Sequence, residues 1–244
     1  MEELTSYSQW KCISLLAGKL IVSCQASPGE PLCAAEHIKA LALSALDGGA
    51  AGLRLEAAEN IATVRAVTSA PIVGLRKSPL VADEDRLRKP YITVTWDEAV
   101  EIAEAGADII AVDATGRPRP DHLSLPDLVA KIHSELNKPV WADISTLQDA
   151  LAAAVAGVDI ISTTMSGYTA ETYVPSDSAP DLELLEGICR QIAVPVALEG
   201  RIWHPDEVRR AFQLGAFAVV VGSAITRPQL ITQRFTRSCP QGDH

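Results

Sequence analysis

The chain predicts a (βα)8 TIM barrel, and three observations carry that expectation. A glycine-led unit recurs four times, as G-G-A-A-G-L-R from Gly48, G-A-D-I-I-A-V-D from Gly106, G-V-D-I-I-S-T-T from Gly157 and G-A-F-A-V-V-V-G-S from Gly215. Four further apolar runs, L-I-V-S-C-Q, P-I-V-G-L-R-K, P-V-W-A-D and P-V-A-L-E-G-R, interleave with these units, which makes eight short strands at helix-length intervals. Each run stops at a polar or small residue, in order Gln25, Arg54, Lys77, Asp113, Asp143, Thr164, Glu199 and Ser223. In a barrel of parallel strands those endings share one face, where chemistry is placed.

Composition agrees. A length of 244 residues suits one barrel domain spanning residues 1–244. Hydrophobic residues reach 48% while aromatics are only 5%, so the interior must be built of Val, Ile, Leu and Ala, as in buried parallel strands. Alternating strands and helices can also form an open doubly wound sheet, but no G-x-G-x-x-G follows the first strand, and eight units favour closure. A net charge of −10 argues against nucleic acid as a partner, because binding a phosphate backbone calls for concentrated positive charge.

The elements follow in order. Trp10, Ile13, Leu15, Leu16 and Leu20 fall near helical spacing, which predicts an N-terminal helix covering one end of the barrel. After the first strand come the loop S-P-G-E-P-L and an Ala- and Leu-rich helix over 34–47, stopped by Gly48-Gly49. Thr95 caps a helix over 96–105, with Glu98 completing a capping box and Gly106 ending it. The same grammar predicts helices over 146–156 and 205–214, the latter with Pro205 in its first turn. Two connections, 78–91 and 165–179, are longer than a turn plus helix requires. Both follow strand ends, so both are expected to hang over the active face as lids or substrate walls.

Cys12, Cys24, Cys33, Cys189 and Cys239 show no C-x-x-C spacing, which suits a reducing compartment. His37, His122, His133, His204 and His244 lack H-x-x-x-H spacing, so no metal is expected. The first residues have no signal-peptide profile, and the longest weakly polar run, 151–158, is too short for a bilayer. The expectation is a soluble cytoplasmic protein with no membrane partner.

Among the strand ends, Lys77 and Glu199 come from the third and seventh strands, on opposite sides of an eight-strand ring. A buried lysine near Arg54 or Arg76 has a lowered pKa and can act as acid or base, with a carboxylate opposite as its partner. A structural ion pair between them is the alternative. Gly200, Arg201, Gly222 and Ser223, with a short helix starting near Ser223, offer backbone N–H groups where many barrels bind phosphate, although such glycines also serve tight turns. Arg54 can hold a substrate oxygen or phosphate. Asp113 and Asp143 can accept from sugar hydroxyls or cap the turns that follow. Cys24 has no histidine in a motif beside it and is not expected to be a nucleophile.

Six segments, I-V-S-C-Q-A (21–26), G-A-D-I-I-A-V-D-A-T (106–115), A-D-I-S-T (142–146), S-G-Y-T (166–169), E-G-R-I (199–202) and V-G-S-A-I-T-R-P (221–228), together resemble the N-acetylmannosamine-6-phosphate 2-epimerase family. The resemblance runs from Leu20 to Phe235. It implies a cofactor-independent interconversion of N-acetylmannosamine 6-phosphate and N-acetylglucosamine 6-phosphate in the use of sialic acid or amino sugars. It further implies a small amino-sugar phosphate as substrate and a homodimer as assembly. By motif it places the catalytic pair on Lys77 and Glu199, substrate contacts on Gln25, Arg54, Asp143, Arg201 and Arg227, and the phosphate cradle on Gly200, Gly222 and Ser223. Two stretches depart from the family pattern. Lys77 precedes Ser78-Pro79 where Arg-Asp is usual, and L-E-A-A-E-N after Arg54 lacks the usual Ala-Asn-Gly, yet Lys77 stays in register. The competing readings are another sugar-phosphate barrel enzyme, such as a Schiff-base aldolase at Lys77 or an isomerase, and a non-catalytic sugar-phosphate sensor.

Overall fold

A computed structural model describes residues 9–240. Eight strands form a closed parallel barrel in chain order: β1 (Lys19–Cys24), β2 (Gly52–Glu56), β3 (Ile72–Leu75), β4 (Ile109–Asp113), β5 (Val140–Asp143), β6 (Ile160–Ser162), β7 (Val196–Glu199) and β8 (Ala218–Val221). Pairing of β8 with β1, Val220 against Ile21, closes the ring. Around it and at its ends lie α1 (Lys11–Ser14), α2 (Ala35–Asp47), α3 (Ala58–Arg65), α4 (Trp96–Glu104), α5 (Leu125–Lys131), α6 (Leu147–Val155), α7 (Leu182–Gln191), α8 (Pro205–Gln213), α9 (Ser223–Thr226) and α10 (Pro228–Thr236). Among the described residues no helix is long and apolar enough to cross a membrane.

Strand parity divides the core in two, because successive side chains point to opposite faces. Ile21, Val73, Ile109, Trp141, Ile160, Ala197, Ala218 and Val220 pack together inside the barrel. Their neighbours Val22, Leu53, Ile110, Val140, Ile161, Leu198 and Val219 pack outward against the helices. The inward parity, carried on toward the carboxyl ends, is what brings Ser23, Arg54, Asp143 and Glu199 to one place.

The recurring glycines have a local cause. Gly106, Gly157 and Gly215 have φ of +105°, +83° and +100°, the left-handed conformation that stops a helix and turns the chain into the next strand. In the G-A-D and G-V-D units the aspartate pins the preceding strand: Asp108 accepts from the Ile72 N–H at 2.9 Å and Asp159 from the Val140 N–H at 2.8 Å. The predicted capping box at Thr95 and Glu98 is present, and Thr146 with Asp149 forms a second. Each satisfies orphan N–H groups at a helix start.

The N-terminal segment covers the barrel's amino end with less helix than its spacing predicts. Among the described residues only the single turn of α1 is helical there, and Leu15 is left exposed while Ile13 and Leu16 are fully buried against the interior cluster. Gly18, at φ +69°, ends the turn and directs the chain into β1, and its N–H donates to the Phe217 carbonyl at 2.7 Å. Trp10 Nε1 donates to Asp159 at 2.8 Å, and His133 Nε2 lies 2.8 Å from the same carboxylate. Asp159 thus ties the floor segment, the start of β5 and the turn after α5 together. Asp159→Ala should remove these three contacts and lower the unfolding free energy by about 2 kcal/mol in urea titrations.

Candidate active site at the carboxyl end of the barrel

A cavity of about 320 Å³ opens at the carboxyl ends of the strands, lined at depth by Gln25, Arg54, Lys77, Tyr91, Thr164 and Glu199. At its base lies an ion cluster. Arg54, 1% exposed, places Nη2 2.5 Å from Asp143 Oδ2 and Nε 3.3 Å from Glu199 Oε1. Thr164 Oγ1 lies 2.7 Å from Asp143 Oδ1 and 3.0 Å from Glu199 Oε2. Trp141 floors the cluster, its ring centroid 5.9 Å from the guanidinium carbon.

Burial acts in opposite directions on the two groups expected to be catalytic. It disfavours the charged amine of Lys77 and lowers its pKa; Glu56 opposes this, while Arg86 and Arg54 add to it. Burial also raises Glu199 to about 7, against the pull of Arg54 and with the push of Asp143. Asp143 is also raised, first by the same desolvation, with Arg54 and Thr164 bonded to it and opposing that rise. The 2.5 Å contact makes Asp143 the ionised partner of Arg54. Glu199, raised to about 7, is then the carboxyl that holds a proton below that pH.

The cradle positions lie on the same cavity wall. Gly200 and Arg201 take φ of +110° and +57° in succession after β7, and Gly222 and Ser223 open α9 after β8. Thr226 Oγ1 donates to the Ser23 carbonyl at 2.8 Å, anchoring α9 on β1. A left-handed non-glycine residue is strained backbone, and such strain gathers at ligand sites. Arg227 lines the cavity and pairs with Glu30 in the loop after β1, where Gln229 Nε2 also donates at 3.1 Å.

Both long connections close over the cavity. The first is stitched at its base by an antiparallel bridge of Lys77 with Ile92 and by the Ser78 N–H to the Tyr91 carbonyl at 2.7 Å. The second is latched by Arg201, which donates to the carbonyls of Ser166 and Ala179 and stacks on Tyr168 at 5.7 Å. A Cβ at Gly167 would come within 2.2 Å of Arg201 Nη1, so this latch needs glycine there. The Ala170 N–H donates to the Leu87 carbonyl at 2.7 Å and joins the two lids.

Most of the expected site residues converge here. Gln25, Arg54, Lys77, Glu199, Gly200, Arg201, Gly222, Ser223 and Arg227 all line the cavity. Asp143 does not; it is fully buried behind Arg54 and Thr164. Asp113 takes the turn-capping alternative, accepting from the Thr115 N–H and hydroxyl, from Arg117, and from the Tyr91 N–H at the end of the first lid. Cys24 packs in the outer layer with its thiol pushed up to about 12, unsuited to attack. The sequence reading passed over Tyr91, Trp203, Arg234 and Arg237, which also line the cavity. Tyr91 ends a connection already marked as a lid, whereas Arg234 and Arg237 sit on α10, whose position over the mouth no local pattern signals.

Glu199 has a folded pKa of about 7 against an ordinary 4.5, so the folded state holds an extra proton between those values and loses stability as pH rises through them. Glu199→Gln removes that loss. Relative to the parent, the variant should gain on the order of 3 kcal/mol between pH 4.5 and pH 8, read as a pH-dependent difference in Tm; a difference that is flat with pH would contradict a raised Glu199.

Comparisons with known proteins point to one family. Residues 38–241 match the sequence profile of the NanE family, described as "Putative N-acetylmannosamine-6-phosphate epimerase". A curated relative from Caldanaerobacter subterraneus subsp. tengcongensis, named "Putative N-acetylmannosamine-6-phosphate 2-epimerase", is 43% identical over 228 residues, covering 93% of this chain and 93% of its own. The solved N-acetylmannosamine-6-phosphate 2-epimerase from Clostridium perfringens superposes with a TM-score of 0.87 at 40% identity, over 95% of this chain and 98% of that one. A thiamine phosphate pyrophosphorylase from Pyrococcus furiosus, 20% identical with a TM-score of 0.57 over 87% of this chain and 88% of its own, shares the fold alone. The chain belongs to the N-acetylmannosamine-6-phosphate epimerase family.

Proposed function

We propose that the protein interconverts N-acetylmannosamine 6-phosphate and N-acetylglucosamine 6-phosphate by moving the proton on carbon 2, without a cofactor. The observation that carries this reading is the placement of Lys77 after β3 and Glu199 on β7, four strands apart around an eight-strand ring, with burial favouring a neutral amine and a protonated carboxyl. A base on one face and an acid on the other are what inversion at carbon requires.

The carbon 2 proton is weakly acidic in the closed sugar ring. In the open-chain aldehyde it is α to a carbonyl. Lys77 Nζ takes it, the electron pair moves into the carbonyl, and an enolate forms. Arg54 is the donor for that oxyanion, because its Nη1 is buried with no hydrogen-bond partner among the described residues. Glu199 then delivers its proton to the opposite face of carbon 2. Turnover leaves Lys77 protonated and Glu199 ionised, the state that serves the reverse direction, and exchange with solvent resets it.

Asp143 serves this chemistry by fixing Arg54. Gln25, whose Nε2 donates to Ser23 Oγ at 2.9 Å, presents its amide to the sugar. The phosphate lies against the N–H groups of Gly200, Gly222 and Ser223 with the charge of Arg227 beside them. Arg201 contributes by holding the second lid. The same reading makes the protein cytoplasmic, in keeping with unpaired cysteines at all five positions, and a homodimer, which sedimentation checks.

A coupled assay with N-acetylmannosamine 6-phosphate tests the reading, and no conversion would overturn it. Lys77→Met should lower kcat by at least about a thousandfold with an unchanged circular dichroism spectrum. In deuterated water the product should carry deuterium at carbon 2. Arg227→Ala should raise KM by about tenfold with kcat nearly unchanged, the mark of a lost phosphate contact. Borohydride should trap no adduct on Lys77; a trapped imine would favour the aldolase reading.

A further inference from the structure

Thr164 Oγ1 faces three oxygens: Asp143 Oδ1 at 2.7 Å, Glu199 Oε2 at 3.0 Å and Ser162 Oγ at 2.8 Å. A hydroxyl has one proton to donate and two lone pairs with which to accept. Two ionised carboxylates would both demand that proton, so one carboxyl must bring a proton of its own. Asp143 is bonded to Arg54 Nη2 at 2.5 Å, and its contact with Thr164 is the shorter of the two carboxyl contacts. The donor order that satisfies every group is therefore directional. Ser162 donates to Thr164, Thr164 donates to Asp143, and the Glu199 carboxyl donates to Thr164.

We propose that Thr164 is a positioning residue that holds Glu199 in its protonated form: its single hydroxyl proton is committed to Asp143, which leaves a lone pair to accept the Glu199 proton. Thr164 stands just past β6, between the ends of β5 and β7, and its hydroxyl is the hydrogen-bond partner of the Glu199 side chain among the described residues. The Thr163 hydroxyl donates instead to the Glu199 backbone carbonyl at 3.0 Å and accepts from its N–H at 3.1 Å, which fixes the strand end and leaves the side chain to Thr164. The catalytic consequence rests on the epimerase reading: an acid facing the substrate must be protonated before the enolate forms, and Thr164 sets the pH range over which that holds. The hydrogen bond itself can be measured without turnover.

The other charged and titratable groups that bear on Glu199 are Arg54 from β2, Lys77 after β3, Asp143 from β5 and Tyr168 from the second lid. Asp113 acts on Asp143 in turn. Thr164→Val leaves all of these in place and removes one hydroxyl. An acceptor lost from a protonated acid lowers its pKa, whereas a donor lost from an ionised carboxylate raises it. The sign of the shift thus reads the direction of the bond.

The test is a carbon-13 NMR titration of glutamate side-chain carboxyls in the ligand-free protein, with the Glu199 resonance assigned by its loss in Glu199→Gln. Thr164→Val should move the Glu199 midpoint down by about one pH unit, and Thr164→Ser should restore it. An upward shift, or none, overturns the proposal. A wild-type measurement needs no variant to fold: at pH 6 the Glu199 carboxyl should be mostly protonated while that of Asp143, observed with labelled aspartate, is ionised, and the reverse overturns the assignment. In the epimerase assay, the alkaline limb of the kcat/KM profile should move with the NMR midpoint. A wild type that does not epimerise sinks the functional reading alone, since the titration still decides the direction of the Thr164 bond.

Discussion

A guanidinium shut away from water at the centre of the barrel constrains the site around it. Arg54 is 1% exposed, and an isolated buried charge of that kind is too costly to persist. Asp143 supplies the compensating charge at 2.5 Å and makes the pair neutral. Glu199 is then one carboxyl more than the cluster needs. Its ionisation would add an uncompensated negative charge beside Asp143 in a desolvated site, and its pKa rises for that reason. The acid of the proposed reaction follows from charge balance as much as from position.

That balance depends on strand parity. Arg54, Asp143 and Glu199 come from β2, β5 and β7, with 89 residues between the first two. They meet because each occupies an inward position near its strand's carboxyl end. A slip of one residue in any of these strands would put the charge among Leu53, Ala142 or Leu198 in the outer layer. The aspartates that pin the starts of β3 and β5, Asp108 and Asp159, hold that register from the opposite end of the barrel. Stability at the floor and chemistry at the mouth are joined through register.

The strands, the glycine stops and the capping boxes were legible in the sequence because each is local: alternation of apolar residues, left-handed glycines after helices, and Thr95 with Glu98 three residues on. Convergence of Lys77, Arg54 and Glu199 was legible once eight strands implied a ring. Several assignments needed contacts that cross the chain. Arg54 was expected at a strand tip, but β2 continues to Glu56, and Arg54 lies deeper as a result. Asp143 reads as a sugar ligand until Arg54 is seen to occupy it. Arg201 reads as part of a phosphate cradle, while its guanidinium latches a lid 22 residues upstream at Ala179. The N-terminal helix shrank to one turn because Gly18 must bend the chain into β1.

Trp141 forms the floor beneath Arg54. Trp141 is fully buried at the next inward position below Asp143, and its ring lies under the guanidinium. An indole face offers the cation attraction without accepting its N–H groups as a carboxylate would. Asp143 takes Nη2, and Nη1 is left without a hydrogen-bond partner among the described residues. Arg54 itself lines the cavity. A donor arranged this way is already desolvated and oriented before a ligand arrives, so an oxygen that gains charge during reaction meets a positive group that need not reorganise. Gly74, inside β3, allows the close packing that holds this geometry: a Cβ there would sit 2.6 Å from that of Ala107 and push β3, with Lys77 just beyond it, out of place. The proposed base, acid and oxyanion donor are therefore positioned by the same close-packed barrel wall.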